Sequence, residues 1–254
     1  MEKRVILSLS ENTGFGRAKA QTRELDTVIM ETIQGRKRAV KRIMKLYRGK
    51  DILLSKKDEN DGIFTDVKKE RNSFRQDSVL PVINEICKQA SRRFFCNIPF
   101  EEIYIVAEEN FALKIIEKIK DMARMFVVVS EEESKIKLYD KLYFEHSAIA
   151  RHRKTMPAAI LEDSMIICFK DSSFDREYKS PFINFTSVKT NLCKEVNGRK
   201  ICVSDSNIRQ VEKLWGGRSG FTLFEFFGIE TGEDSIVDIN NCADDIFLLD
   251  TAAF

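Results

Sequence analysis

Between residues 100 and 170 short, wholly apolar runs alternate with longer amphipathic stretches. Ile103–Ala107, Met125–Ser130 and Met165–Phe169 are apolar runs of strand length. Glu108 to Ala123 places Phe111, Ile115, Ile119 and Met122 on one helical face, and Glu131 to about Lys154 does the same with Ile136, Tyr139, Leu142, Tyr143 and Ile149. Strands without polar alternation are buried on both faces, as in a parallel sheet between helices. The order strand, helix, strand, helix, strand predicts βαβ units with right-handed crossovers.

The N-terminal part carries the same two periods less clearly. Arg4–Ser10 reads as a first strand, followed by a turn over Glu11–Gly16. Ala20, Leu25, Val28, Ile29 and Ile33 then predict a helix, broken at Gly35. Val40, Ile43, Met44 and Tyr47 stand at i, i+3, i+4 and i+7, predicting a second helix over about 36–48. Asp51–Ser55 is a short strand, and polar residues 55–75 a loop. Pro81 fits the first turn of a helix from Asp77 or Ser78 to Phe94 that buries Val82, Ile83, Ile86, Cys87 and Ala90.

After residue 171 the pattern turns to alternation. Asn197-Gly198 predicts a type I′ hairpin in which Cys193 faces Cys202, with Cα atoms ~4.5 Å apart. A helix starts at Asp205 or Ser206 and ends at Gly216-Gly217, and residues 235–254 read as strand and turn. The fold expected is α/β: a mainly parallel sheet flanked by helices, Rossmann-like and three-layer, with a C-terminal β-hairpin and helical extension. Residues 1–175 form the core domain in this reading, and 176–254 the extension packed on it.

Composition narrows the classes. With 43% hydrophobic and 32% charged residues and a net charge of +2, the chain has the makings of a core and is not disordered throughout. No apolar run approaches the ~18 residues of a membrane span, so no membrane partner is expected. Met1–Leu9 has too short an apolar part for a secretory leader. The six cysteines form no C-x-x-C pair and the two histidines lie elsewhere, so no metal ligands are assigned. A reduced, cytoplasmic protein is expected.

In a doubly wound sheet, ligands bind outside the carboxyl ends of the strands. That rule selects the loops Ser8–Gly16, Ala107–Asn110, Ser130–Glu133 and Lys170–Ser173. The candidate ligand contacts are Ser10, Asn12, Thr13, Gly14, Gly16, Arg17, Ser130, Asp171 and Ser172. Gly14 and Gly16 would let a phosphate approach main-chain N–H groups at a helix N-terminus, and Arg17 would add a full charge. The loop matches neither G-x-G-x-x-G nor a P-loop, so an ordinary strand-to-helix turn is the competing explanation. Glu108 and Glu131 complement helix dipoles. Asp171 is a ribose contact or, with a bound nucleotide, a ligand to Mg²⁺. Gly216–Gly220 reads as a helix end and hinge, with Trp215, Phe221, Phe224, Phe226 and Phe227 as core or interface. His146 and His152, six apart on one expected helix, share no face for a metal.

Charge is unevenly placed. Residues 36–50 hold Arg36, Lys37, Arg38, Lys41, Arg42, Lys45, Arg48 and Lys50 and no acid, whereas residues 219–254 hold eight acids and no base. The function expected is a binding or regulatory protein for a phosphate-bearing, nucleotide-like small molecule at the strand ends. One alternative is a nucleic-acid-associated protein that uses Arg38, Lys41, Arg42 and Lys45 on the basic helix. Another is an enzyme of unassigned reaction in the same crevice, whose catalytic residues no motif identifies. A homo-oligomer would pair the basic helix with the acidic C-terminal region.

Overall fold

A computed structural model describes residues 4–10, 21–24, 28–34, 37–48, 52–55, 69–71, 76–131, 136–170, 178–186, 194–204, 208–209, 212–213, 220, 236–242 and 246–249. Contacts divide the chain into two compact units. One comprises Met1–Phe74, Asn207–Ile229 and Ala243–Phe254; the other comprises Arg75–Ser206 and Glu230–Cys242. The chain passes four times between the units.

The first unit holds a six-stranded mixed sheet. Strands β1 (Arg4–Ser10), β3 (Val28–Gln34) and β4 (Ile52–Ser55) are parallel with β1 in the middle. β2 (Gln21–Glu24), β5 (Lys69–Arg71) and β14 (Ile246–Leu249) join antiparallel, giving the order β2-β3-β1-β4-β14-β5. Helix α1 (Lys37–Leu46) follows the 3.6-residue period, with Met44 buried and Tyr47 buried in the turn that follows. The helix expected over Ala20–Ile33 is instead the hairpin β2–β3. Thr22, Val28, Ile29, Thr32 and Ile33 are β-branched, and β1 supplies β3 with a complete parallel ladder.

The second unit carries the α/β sheet that the apolar runs predict. β6 (Phe100–Val106), β7 (Ala123–Val129), β8 (Ala150–Arg153), β9 (Ser164–Cys168), β10 (Phe182–Asn184) and β11 (Glu195–Asn197) are all parallel, in the order β11-β10-β9-β6-β7-β8. Read from β8, this is the doubly wound order of a Rossmann sheet. Runs 103–107, 125–130 and 165–169 are neighbours with β6 in the centre. Helices α2 (Ile83–Arg93), α3 (Glu109–Ile119) and α4 (Ile136–His146) accompany it. One sheet face packs Tyr104, Val106, Val127, Val129, Ile166, Cys168 and Phe182 beneath Tyr178, Met156 and Ile160. The crossover helices α3 and α4 take the other face.

Two expectations fail in this unit. The helix expected to continue to Lys154 stops at His146, because Ser147 turns left-handed (φ 55) and closes the helix with its N–H on the Tyr143 carbonyl at 2.9 Å. Ala150–Arg153 then becomes edge strand β8, so His146 and His152 are on different elements. Charged residues disguise an edge strand in sequence. The Asn197-Gly198 hairpin is also absent. Asn197 has φ −75 and ψ 100, outside a type I′ turn, and residues 198–200 make a 3-10 turn. β11 joins the parallel sheet, while β12 (Ile201–Ser204) pairs antiparallel with β13 (Ile236–Cys242). Cys202 therefore stands opposite Asp238, and Cys193 lies outside the described residues.

The far edge of β13 is fastened to α2 by side chains. Gln89 Nε2 donates to the Val237 carbonyl at 2.6 Å, and Ile239 N–H donates to Gln89 Oε1 at 3.3 Å. Arg93 adds a contact to the Ile239 carbonyl at 3.5 Å. The Gln89 amide thus substitutes for a neighbouring strand along an edge that has none among the described residues.

Candidate functional site

The connection from β6 through α3 leads to β7 on one side, while β9 leads to β10 on the other. The direction of winding reverses between β6 and β9, which are adjacent and in register from Glu102↔Ser164 to Val106↔Cys168. A crevice at that reversal is where doubly wound sheets bind ligands. Three strand ends meet there: Ala107 after β6, Ser130 after β7, and Phe169 and Lys170 after β9.

Most main-chain donors at this edge are already used. Ala107 N–H donates to Val129 O at 3.3 Å, Ser130 N–H to Arg153 O at 3.0 Å, and Phe169 N–H to Val106 O at 2.8 Å. The α3 N-terminus has amides without intrahelical partners, since the first such bond runs from Ala112 N–H to Glu108 O at 2.9 Å. Glu108 occupies the cap position in extended conformation (φ −61, ψ 140) without a side-chain cap bond. The turn Val106–Phe111 contains no glycine and two acids, unlike a pyrophosphate-binding turn.

One half of the edge is filled by aromatic rings. Phe111 meets Phe169 edge to face at 4.9 Å, and Phe169 stacks on Phe185 at 4.4 Å with an interplanar angle of 4°. Phe185 lies against Gly198, where a Cβ would fall within 3.0 Å of the ring. This column closes the strand ends from β9 to β11. Gln76 Nε2 donates to the Phe169 carbonyl at 3.1 Å, and Arg199 Nε to the Phe185 carbonyl at 2.7 Å. Asn184 links two corners, donating to Glu195 at 2.8 Å and accepting from Thr186 N–H and Oγ1 at 2.9 and 2.7 Å.

The other half is polar. Ser130 is buried, exposed Glu131 follows β7, and the Lys170 ammonium stands 4.0 Å from the Glu131 carboxylate. Glu109, the first residue of α3, is fully buried with Tyr139 of α4 beside it; burial first, then that carboxylate, raise the Tyr139 phenol above its ordinary value.

The candidate residues do not share one sheet. Ser10 ends β1 of the first unit, in register with Gln34, while Ser130 belongs to the second unit. Asn12, Thr13, Gly14, Gly16, Arg17, Asp171 and Ser172 lie outside the described residues, as does the Phe221–Ile229 segment. The helix whose N-terminus was to receive phosphate after Arg17 is replaced by β2 and β3. On α1, Lys41, Arg42 and Lys45 are exposed, as is Arg48 in the turn that follows. Arg38 lies on the same helix.

A polar cluster on the sheet face that carries Tyr104 and Val106 leaves no mark in the sequence pattern. Glu102 of β6, almost buried, accepts from Arg151 of β8 at 2.6 Å and from the Tyr104 hydroxyl. Burial, reinforced by Glu102, pushes Tyr104 up to about 12. The period over 131–154 assigns Arg151 to a helix, so nothing in the sequence sets it two strands from Tyr104. Among the described residues no group of three or more His, Cys, Asp or Glu side chains could hold a metal ion, and no helix is long and apolar enough to cross a membrane. Comparison with protein-family models, curated proteins and solved structures finds no match.

Proposed function

We propose that this chain is a binding protein for a phosphate-bearing, nucleotide-like small molecule, held at the carboxyl edge of the parallel sheet of the second unit. The observation that carries the reading is the strand order, which reverses between β6 and β9. The aromatic column leaves the β6–β7 side for the ligand. There the Lys170 ammonium and the amides at the start of α3 attract phosphate, and Glu131 accepts from a sugar hydroxyl. Asp171 and Ser172 follow Lys170 directly in sequence and belong to the same group of ligand-binding residues. Glu108 and Glu109 disfavour a bare diphosphate, so Mg²⁺ would arrive with the phosphates rather than wait in a protein cage. Thermal denaturation with AMP, ADP, ribose 5-phosphate and inorganic phosphate at millimolar concentration, with and without Mg²⁺, tests the reading. A nucleotide at 100 times its Kd stabilises by about 2.7 kcal/mol. Lys170→Ala should remove that gain, and no stabilisation by any of the four refutes the proposal.

A second reading rests on α1 and the turn after it, which expose Lys41, Arg42, Lys45 and Arg48 while Met44 and Tyr47 are buried. A helix anchored by one stripe and basic on its outer side can follow a phosphate backbone. Failure to shift duplex DNA or RNA at ~50 mM salt, where nonspecific affinity is high, excludes it.

A further inference from the structure

We propose that the β8 edge, together with the outer side of α4, docks an extended partner segment that alternates acidic with apolar residues. β8 ends the six-strand order and is paired only through β7 among the described residues. The carbonyls of Ile149 and Arg153 accept from Phe126 and Ser130 at 2.8 and 3.0 Å, so odd-numbered residues serve the ladder to β7. In a parallel ladder the intervening residues turn their N–H and C=O away. Ala150 and His152 therefore offer main-chain donors and acceptors along the edge that has no neighbour among the described residues, a template for one more strand.

The two sides of this template differ in chemistry. Arg151 and Arg153 stand opposite Val127 and Val129, on the sheet face that carries Tyr104 and Val106, and both are exposed. Arg151 shares its charge with Glu102, and Arg153 extends the cationic side. The other side borders α4, where Phe144 is 80% and Tyr143 55% exposed, with Ile149 54% exposed at the turn. Single exposed apolar residues are ordinary, but Tyr143 and Phe144, whose rings meet edge to face at 5.5 Å, form a joint patch beside a strand edge that is unpaired among the described residues. Side chains of an added strand alternate between the faces. Acidic residues would then meet the arginines while apolar residues cover Phe144 and Tyr143. A second copy of β8 fits poorly, because it would set arginine against arginine. The strip shares no residue with the ligand-binding residues proposed above.

The test uses the full chain and a dye-labelled synthetic peptide alternating glutamate with valine, read by fluorescence polarisation. Its two controls are a lysine-for-glutamate peptide and one N-methylated at every second amide. The glutamate peptide should bind and both controls should fail. Arg153→Glu and Phe144→Ser should each weaken binding by about fivefold or more, the equivalent of about 1 kcal/mol. Ala150→Pro removes an outward N–H at the first strand position, where proline is tolerated, and should abolish binding with an unchanged circular dichroism spectrum. If that variant does not fold, the N-methylated peptide alone decides, since it blocks the same bonds from the partner's side. Equal binding of either control peptide, or no binding of the glutamate peptide, overturns the proposal. So does a dimer in sedimentation that Ala150→Pro disperses, because the edge would then belong to a second copy.

Discussion

Replacing Gly198 with alanine tests the aromatic column directly. A Cβ at this position would lie within 3.0 Å of the Phe185 ring, with the ring Cγ at 2.7 Å. The ring has little room to withdraw. It is 1% exposed and stacks on Phe169 at 4.4 Å, and Phe169 in turn meets Phe111 at 4.9 Å. The Phe185 backbone is held at both ends, its N–H donating to Cys168 O at 2.8 Å and its carbonyl accepting from Arg199 at 2.7 Å. Adding a methyl to so tight a place costs about 1–3 kcal/mol. The sign is informative, because glycine to alanine at an unstrained, open position stabilises by about 0.4–1 kcal/mol through the unfolded chain. With m of roughly 2–3 kcal/mol/M, the urea midpoint followed by circular dichroism should fall by roughly 0.3–1.5 M at unchanged m. Shortening the ring should relieve the clash, so Gly198→Ala combined with Phe185→Leu should cost less than the two single changes added together. A midpoint that stays or rises in the Gly198→Ala protein would refute the packing of this column.

Gln89→Leu should destabilise by about 1–3 kcal/mol, because Val237 and Ile239 lose their partners, and should speed hydrogen exchange at the Ile239 amide; unchanged exchange there would mean that the Gln89 bonds do not secure β13. Burial holds the Tyr104 proton, so its contribution to stability is complete below the ordinary tyrosine value near 10 and disappears as pH rises through about 12. Tyr104→Phe should therefore flatten the stability profile over that alkaline range, and an unaltered profile would contradict the assignment. If α1 binds nucleic acid, replacing Lys41, Arg42 and Lys45 with alanine should lower the slope of log affinity against log salt by roughly one unit for each phosphate no longer neutralised.

Local pattern was enough for the central elements. β6, β7 and β9 follow from uninterrupted apolar runs, β1 from a shorter run broken by Ser8, and α1, α2 and α3 from the 3.6-residue period, because burial on both faces or on one stripe leaves that imprint in any sequence. The parallel direction of β6, β7 and β9 followed from the helix-length segments between them. Tertiary structure decided everything that depends on a distant partner. Val28–Gln34 is a strand because β1 lies beside it, Ala150–Arg153 because β7 offers an edge, and Asn197 leaves its predicted hairpin because β10 and β13 compete for the two flanking strands. The division into two sheets, which separates Ser10 from Ser130, is of the same kind. The crevice rule could name strand ends from sequence. Which of them are filled by rings depends on three phenylalanines and a glycine spread over residues 111 to 198, whose meeting no local period records.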